Sequence, residues 1–168
     1  MDKITEKKAN KINGFFALFI VIGLFALDFY LLATGIRTED TSILWFFIPL
    51  VFISFLSFGG FMIVQPNESR VLILFGKYTG TIRDAGFWWV NPFTVKKHVS
   101  LRIRNFNSEK IKVNDLHGNP IEIAAVIVWR VVDSARAIFD VQNYEQFVAI
   151  QGETAIRTLA SEYPYDTN

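Results

Sequence analysis

The chain has 168 residues, a formal net charge of +1 and no cysteine. The balanced charge argues against a nucleic-acid-binding domain, and the absence of cysteine excludes disulfides and thiolate metal sites. Eleven of the 17 phenylalanines lie between Phe15 and Phe61, so the apolar content is concentrated near the N-terminus.

Two apolar runs in this region predict a transmembrane helical hairpin. The first, residues 14–33, would rise about 30 Å as a helix, the thickness of the hydrocarbon core of a bilayer. The second, residues 43–64, carries no charge and contains Pro49, which is expected to kink the helix or lie near its start. Residues 1–13 are predicted to be a tail, and residues 34–42 a polar connection.

The distribution of basic residues predicts the orientation of this hairpin. The connection contains only Arg37, whereas basic residues flank both outer ends of the hairpin. Because basic flanks stay in the cytoplasm, both termini of a multi-pass cell-membrane protein are predicted there. A re-entrant hairpin, which enters and leaves on one face, gives the same bias. The outer basic residues are Lys3, Lys7, Lys8 and Lys11 before the hairpin, and Arg70, Lys77 and Arg83 after it.

Asp28 is the one ionisable residue inside a predicted span. Acids at membrane depth often mark an ion or proton path. The alternative, which its position in the last third of the run favours, is an acid that reaches water or a neighbouring helix.

Residues 65–168 predict a membrane-anchored α+β domain, an antiparallel sheet with helices packed on it. Asp133 is placed to cap a helix at residues 134–139. A second helix is expected to begin after Asn143. The second helix is expected to bury a stripe of Tyr144, Val148, Ala155 and Leu159. Alternating residues predict strands near 71–75, 78–82, 99–104 and 110–113, a turn at 115–120, and a long central strand at 121–132.

A basic strand face with nearby tryptophans is the candidate membrane-surface contact. Tryptophan favours the headgroup layer, and each basic residue near anionic lipid contributes about 1 kcal/mol. The alternative is that the tryptophans fill a small core and the charges are simply solvated. The candidate residues are Trp88, Trp89, Lys96, Lys97, Arg102 and Arg104.

No catalytic, cofactor or metal site is predicted. His98 and His117 are the two histidines, and neither has the spacing of a zinc site. The chain contains no glycine-rich phosphate loop and no Gly-x-Ser-x-Gly nucleophile motif.

Four sequence blocks together resemble the stomatin/prohibitin/flotillin group, also called the SPFH or band 7 family. They are VQPNESRVLILFGKYTGTIRDAGFWWVNPF (64–93), VSLRIRNFN (99–107), DLHGNPIEIAAVIVWRVVDSARAIFDVQNY (115–144) and GETAIRTL (152–159). The resemblance extends over residues 63–166, essentially the whole part that follows the hairpin.

The resemblance implies a non-enzymatic scaffold that organises membrane microdomains and regulates membrane proteins, including membrane-bound proteases. It also implies a homo-oligomer, a large ring or cage built through a coiled-coil segment, before which this chain is expected to be truncated. The expected partners are the lipid bilayer, further copies and a membrane-bound protease, with no nucleic acid. The alternatives are an accessory subunit of a membrane transporter, channel or protease complex, and a membrane-embedded hydrolase, which a lone Asp28 supports poorly.

Overall fold

The computed structural model describes residues 5–38 and 41–164. They form two compact units, one spanning Glu6–Ser100 and one built from Leu101 onward. Each unit combines antiparallel strands with helices, so the predicted α+β class is confirmed.

The first unit contains the two apolar helices and two three-stranded sheets, ordered β1-β5-β2 and β4-β3-β6. All the strand pairs in these sheets are antiparallel, and the buried core lies between them around Val64, Leu72 and Ile82. The elements are β1 (Ile12–Asn13), α1 (Gly14–Thr38), a 3-10 turn (Thr41–Ile43), α2 (Leu44–Phe58), β2 (Phe61–Val64), β3 (Glu68–Leu74), β4 (Lys77–Ile82), β5 (Gly86–Trp89) and β6 (Thr94–Ser100).

Helix α1 begins where the first apolar run was predicted to begin. The Asn13 side chain accepts hydrogen bonds from the amides of Phe15, at 2.9 Å, and Phe16, at 3.4 Å, and so caps the helix. The helix continues past the predicted end at residue 33 to Thr38. Within the described residues, α1 is the one helix long and apolar enough to cross a membrane.

The second apolar run is shorter as a helix than predicted. Helix α2 ends at Phe58, with Pro49 inside it, and Phe61–Val64 forms strand β2 instead of a last helical turn. The Gly59-Gly60 pair interrupts the helix, and β2 then gains backbone partners on β5. The 15 residues of α2 rise only about 22 Å.

The segment that was predicted to be a tail is partly built into the first unit. The amide of Thr81 donates to the carbonyl of Lys7 at 2.8 Å, and the amide of Ala9 donates to the carbonyl of Thr81 at 3.1 Å. Residues 12–13 form β1 on the edge of β5. Residues 1–4 lie outside the described part of the chain.

The second unit has two separate strand pairs and two helices. Strand β10 pairs with β7, and β8 pairs with β9 through the predicted turn, where the Asp115 carboxylate accepts from the amides of His117 and Asn119. The elements are β7 (Arg104–Asn107), β8 (Ile111–Asn114), β9 (Pro120–Ile123), β10 (Val126–Trp129), α3 (Ser134–Phe139) and α4 (Tyr144–Glu162).

Two stretches that were each predicted to be one strand are divided between two strands in the structure. The run 121–132 divides into β9 and β10, which belong to different pairs, because Ser108 bonds both the amide and the carbonyl of Ala125 between them. Neither piece is a buried central strand, since β9 contains no buried residue and Val126 and Val128 of β10 are each 64% exposed. The run 99–104 is also divided, because β6 ends at Ser100 and β7 begins at Arg104.

Both predicted helix starts in this unit are confirmed. The Asp133 carboxylate accepts from the amide of Arg136 at 2.9 Å, and the Asn143 side chain accepts from two amides in the first turn of α4. The predicted stripe on α4 is only partly correct. Tyr144 and Val148 are half-buried, whereas Ala155 and Leu159 are exposed. The half-buried positions of α4 are Tyr144, Val148, Ala149, Gly152, Ile156 and Ala160.

Candidate functional site

Strand β5 joins both helices to the β-rich part of the first unit. Strand β1 leads directly into α1 and pairs with one edge of β5, while β2 follows α2 and pairs with the other edge. Ile12 and Phe61 lie opposite the same residue of β5, Trp89. We call β5 together with Gly14, Gly59 and Gly60 the hairpin root.

Two glycines allow the close approach of the helices to the region of β5. A Cβ built on Gly14 would lie 2.8 Å from the carbonyl carbon of Phe87, and one built on Gly60 would lie 2.5 Å from the carbonyl oxygen of Val90. Both distances are shorter than a side-chain carbon can tolerate against backbone. The hairpin root therefore requires glycine at both positions on steric grounds.

Two carbonyls at the end of α2 receive donors from side chains of the β-rich part. The Ser57 carbonyl accepts from the amide of Gly60 at 3.1 Å and from the indole N–H of Trp89 at 2.9 Å. The Gly59 carbonyl accepts from the Lys96 ammonium. A cation and an indole at the negative end of a helix satisfy groups that the helix itself leaves unpaired. Partial burial lowers the pKa of Lys96 below its usual value.

A second polar cluster precedes the start of α1. The Lys11 ammonium lies 3.6 Å from the centroid of the Trp88 ring, and the Trp88 indole donates to the carbonyl of Asp84 at 2.9 Å. The Asp84 carboxylate bonds Lys11 and lies 3.3 Å from the Lys8 ammonium. The hydrogen bond from Lys11 lowers the pKa of the Asp84 carboxyl, and the hydrogen bond from Lys8 lowers it further by a smaller amount.

Aromatic contacts connect the helices across β5. The Phe87 ring forms a T-shaped pair with Phe15 from α1 at a centroid distance of 5.4 Å, and it stacks on Phe61 from β2 at 5.3 Å. Phe61 in turn lies 6.2 Å from Phe58, the last residue of α2. Such pairs contribute about 0.5–1.5 kcal/mol beyond the area they bury.

Inside the hairpin, Asp28 bonds the other helix. Its side chain is 5% exposed, and the Ser54 hydroxyl of α2 donates to its Oδ2 at 2.8 Å. Its Oδ1 has no hydrogen-bond partner among the described residues. Of the two interpretations of Asp28, the structure supports the one in which the acid reaches a neighbouring helix.

The residues of the predicted membrane-surface contact fall into both units. Trp88, Trp89 and Lys96 lie at the hairpin root or beside it, and Lys97 is exposed on β6. The second unit contains the two arginines: Arg102 is exposed, and Arg104 forms an ion pair with Glu145 and lies 5.8 Å from the ring centroid of Trp129. A contact of these six residues with lipid stays a prediction.

Sequence reasoning missed the role of the three glycines of the root, and it missed strand β5 itself. The Gly59-Gly60 pair at the end of an apolar run was a usable signal, since consecutive glycines commonly end a helix. The four residues of β5 do not alternate between polar and apolar side chains. The strand forms through its backbone pairing with β1 on one edge and β2 on the other.

Comparisons with known proteins find a family match that begins in β2 and includes every element after it. Residues 62–167 match the SPFH domain / Band 7 family. An uncharacterized protein of Methanocaldococcus jannaschii is 24% identical over 126 residues, which cover 73% of this chain and 62% of that relative. The chain thus spans less than two thirds of the relative's length.

Replacing Gly60 with alanine should destabilise the first unit by about 1–3 kcal/mol, because the added methyl group collides with backbone. Gly23→Ala is the matched control, since a Cβ at Gly23 meets nothing within 4 Å. It should be neutral or stabilising by about 0.5–1 kcal/mol, as expected for glycine in a helix. Unfolding in mixed micelles, followed by tryptophan fluorescence, measures both. Equal effects of the two substitutions would contradict the steric role of Gly60.

Ser54→Ala should destabilise the hairpin by about 1–3 kcal/mol, because it leaves the buried carboxyl of Asp28 without its hydrogen bond. The double variant Asp28→Leu/Ser54→Ala should lose less than the sum of the single substitutions. A double-mutant cycle on unfolding in micelles measures this coupling, which is expected at about 0.5–3 kcal/mol for residues in contact. Strict additivity would show that the bond contributes nothing to the pairing of the helices.

Proposed function

Because this chain belongs to the SPFH domain / Band 7 family, we propose that it is a membrane-anchored scaffold whose copies assemble and organise the surrounding membrane. The family is known in general for membrane-associated, non-enzymatic scaffolds. In this proposal α1 and α2 are the anchor, and the β-rich first unit and the second unit act at the membrane surface.

The apolar surface of α1 is the observation on which the anchoring rests. Only 17% of the residues in an apolar stretch of 18 residues of this helix are buried. Phe19 and Phe29, for example, are 76% and 74% exposed. Covering one such side chain is worth about 1.5–3 kcal/mol, and a helix that is apolar all round requires an apolar environment. A bilayer provides it.

Helix α2 has the same character but a shorter length. Its residues Trp45, Phe46 and Phe52 are 83%, 74% and 69% exposed. A rise of about 22 Å falls short of a hydrocarbon core of about 30 Å, so a full crossing requires flanking residues or local thinning of the bilayer. A re-entrant hairpin needs neither.

The proposed topology leaves both flanks of the hairpin on one face of the membrane. It is supported by the pairing of β1 and β2 with the same strand, which ties the two flanks together. The excess of basic residues in the flanks supports the cytoplasm as that face. Both flanks and the soluble part would then be cytoplasmic.

Assembly of copies is supported by the apolar side chains that the second unit leaves uncovered. Helix α4 has no fully buried residue, and its Phe147 and Ile150 are 49% and 55% exposed. Val126 and Val128 of β10 are also exposed. A ring or cage of copies, the organisation of microdomains and the regulation of a membrane-bound protease are further parts of this proposal.

An accessory subunit of a membrane transporter, channel or protease complex is the second candidate function. The unpartnered Oδ1 of Asp28 favours it, since an acid inside a span can serve an ion path. However, this acid is buried against Ser54 of its own chain. We therefore place the scaffold first.

In mild detergent, multi-angle light scattering should give the mass of a high-order assembly of the 19.3 kDa chain. The double variant Phe147→Ser/Ile150→Ser should lower that mass, because it removes exposed apolar surface from α4. Gln146→Ser/Gln151→Ser, which changes exposed polar positions on the same helix, should leave the mass unchanged, and circular dichroism checks that both variants stay helical. A monomeric wild-type chain would contradict the scaffold.

A further inference from the structure

Phe75 is the most exposed large apolar side chain of the described residues, at 84%. It lies in the two-residue turn between Leu74 and Lys77, which pair as the ends of β3 and β4. Its φ is +48°, and Gly76 beside it has a φ of +82°. Two positive φ angles are those of a type I′ turn, whose first position favours asparagine, aspartate or glycine.

Phenylalanine is therefore unfavourable here for two independent reasons. A left-handed conformation costs a residue with a Cβ about 1–2 kcal/mol. Burial of a phenylalanine side chain would stabilise the fold by about 1.5–3 kcal/mol, and the exposed Phe75 does not contribute this free energy. Nothing in the first unit covers this ring fully, so its presence in the turn does not serve the stability of the unit.

A second exposed aromatic ring lies against Phe75. Phe93, in the connection between β5 and β6, is 53% exposed, and the two rings stack with a centroid distance of 6.0 Å and an interplanar angle of 29°. Val95, two residues further on, is 55% exposed. We call Phe75, Phe93 and Val95 the aromatic tip.

The aromatic tip is next to the end of α2. A Cβ built on Gly59, the residue after α2, would lie 3.4 Å from the Cβ of Pro92, the residue before Phe93. The Lys96 ammonium, one residue beyond Val95, bonds the Gly59 carbonyl. The tip is therefore continuous with the place where an apolar helix ends.

We infer that the aromatic tip inserts into the headgroup region of the same bilayer that holds the hairpin, as a second and separate membrane contact of the first unit. This inference rests on the proposed membrane anchoring. Aromatic side chains favour the boundary between headgroups and acyl chains. Lys77, beside the turn, and Lys97, two residues along β6 from Val95, are exposed and suit the anionic headgroups around it.

The other end of β3 provides a matched control position. Asn67, just before β3, is exposed and also has a left-handed φ, of +60°. The seven residues of β3 separate it from Phe75 by roughly 25 Å. Because the chain has no cysteine, Phe75→Cys and Asn67→Cys each give one site for a nitroxide label.

The full chain carrying either label is reconstituted into vesicles of phosphatidylcholine with phosphatidylserine. The collision of each label with oxygen, which partitions into lipid, is compared with its collision with a water-soluble nickel chelate. We expect oxygen to dominate at position 75 and nickel at position 67. Equal access of nickel to both labels would overturn the insertion. A label at position 75 that is immobile and closed to both reagents would also overturn it, because protein would then cover the tip.

Flotation of the same vesicles after an alkaline carbonate wash separates this inference from the proposed anchoring. A chain that floats but has an aqueous label at position 75 is anchored without an inserted tip. A chain that does not float contradicts the anchoring itself.

Phe75→Asn tests the inference without endangering the fold, because asparagine suits a left-handed turn position. With the label at Val95→Cys, the substitution should shift the balance of collisions from oxygen towards nickel. The unfolding midpoint should stay the same or rise. An unchanged balance would contradict a role of the Phe75 ring in the membrane contact.

Discussion

Both ends of the apolar hairpin are fixed by a single four-residue strand. Strand β5 pairs with β1 on one edge and β2 on the other, so the backbone that enters α1 and the backbone that leaves α2 share one partner. Gly14 and Gly60 permit this approach, because a Cβ at either position would collide with backbone. The two flanks of the hairpin are therefore held next to each other in one sheet.

The first unit supplies side-chain donors to carbonyls at the end of α2. At the end of α2, the Trp89 indole and the Lys96 ammonium supply donors, and a bilayer would supply none. Within the hairpin, Ser54 partners one oxygen of Asp28. A helix pair secured in this way exposes phenylalanine along its length, as the proposed membrane anchor requires.

Local signals in the sequence predicted the features that depend on a few neighbouring residues. Asp133 and Asn143 begin their helices as expected, because a cap needs only its own first turn. The division of residues 121–132 was not predictable, since it depends on bonds between Ala125 and the distant Ser108. The sequence singled out Trp88, Trp89 and Lys96 as lipid contacts, but it did not predict the contacts they make at the hairpin root. Strand β5 and the exposure of Phe75 depend on the folded chain.

The most direct test is the side of the membrane on which each flank of the hairpin lies. Single cysteines at the exposed positions Asn10, before α1, and Thr79, after α2, can be labelled with an impermeant maleimide in sealed vesicles of known orientation. Pairing of both flanks within one unit predicts that the two cysteines react from the same face. The basic residues of the flanks predict that this face is the cytoplasmic one. Reaction from opposite faces would contradict the hairpin and its root on β5.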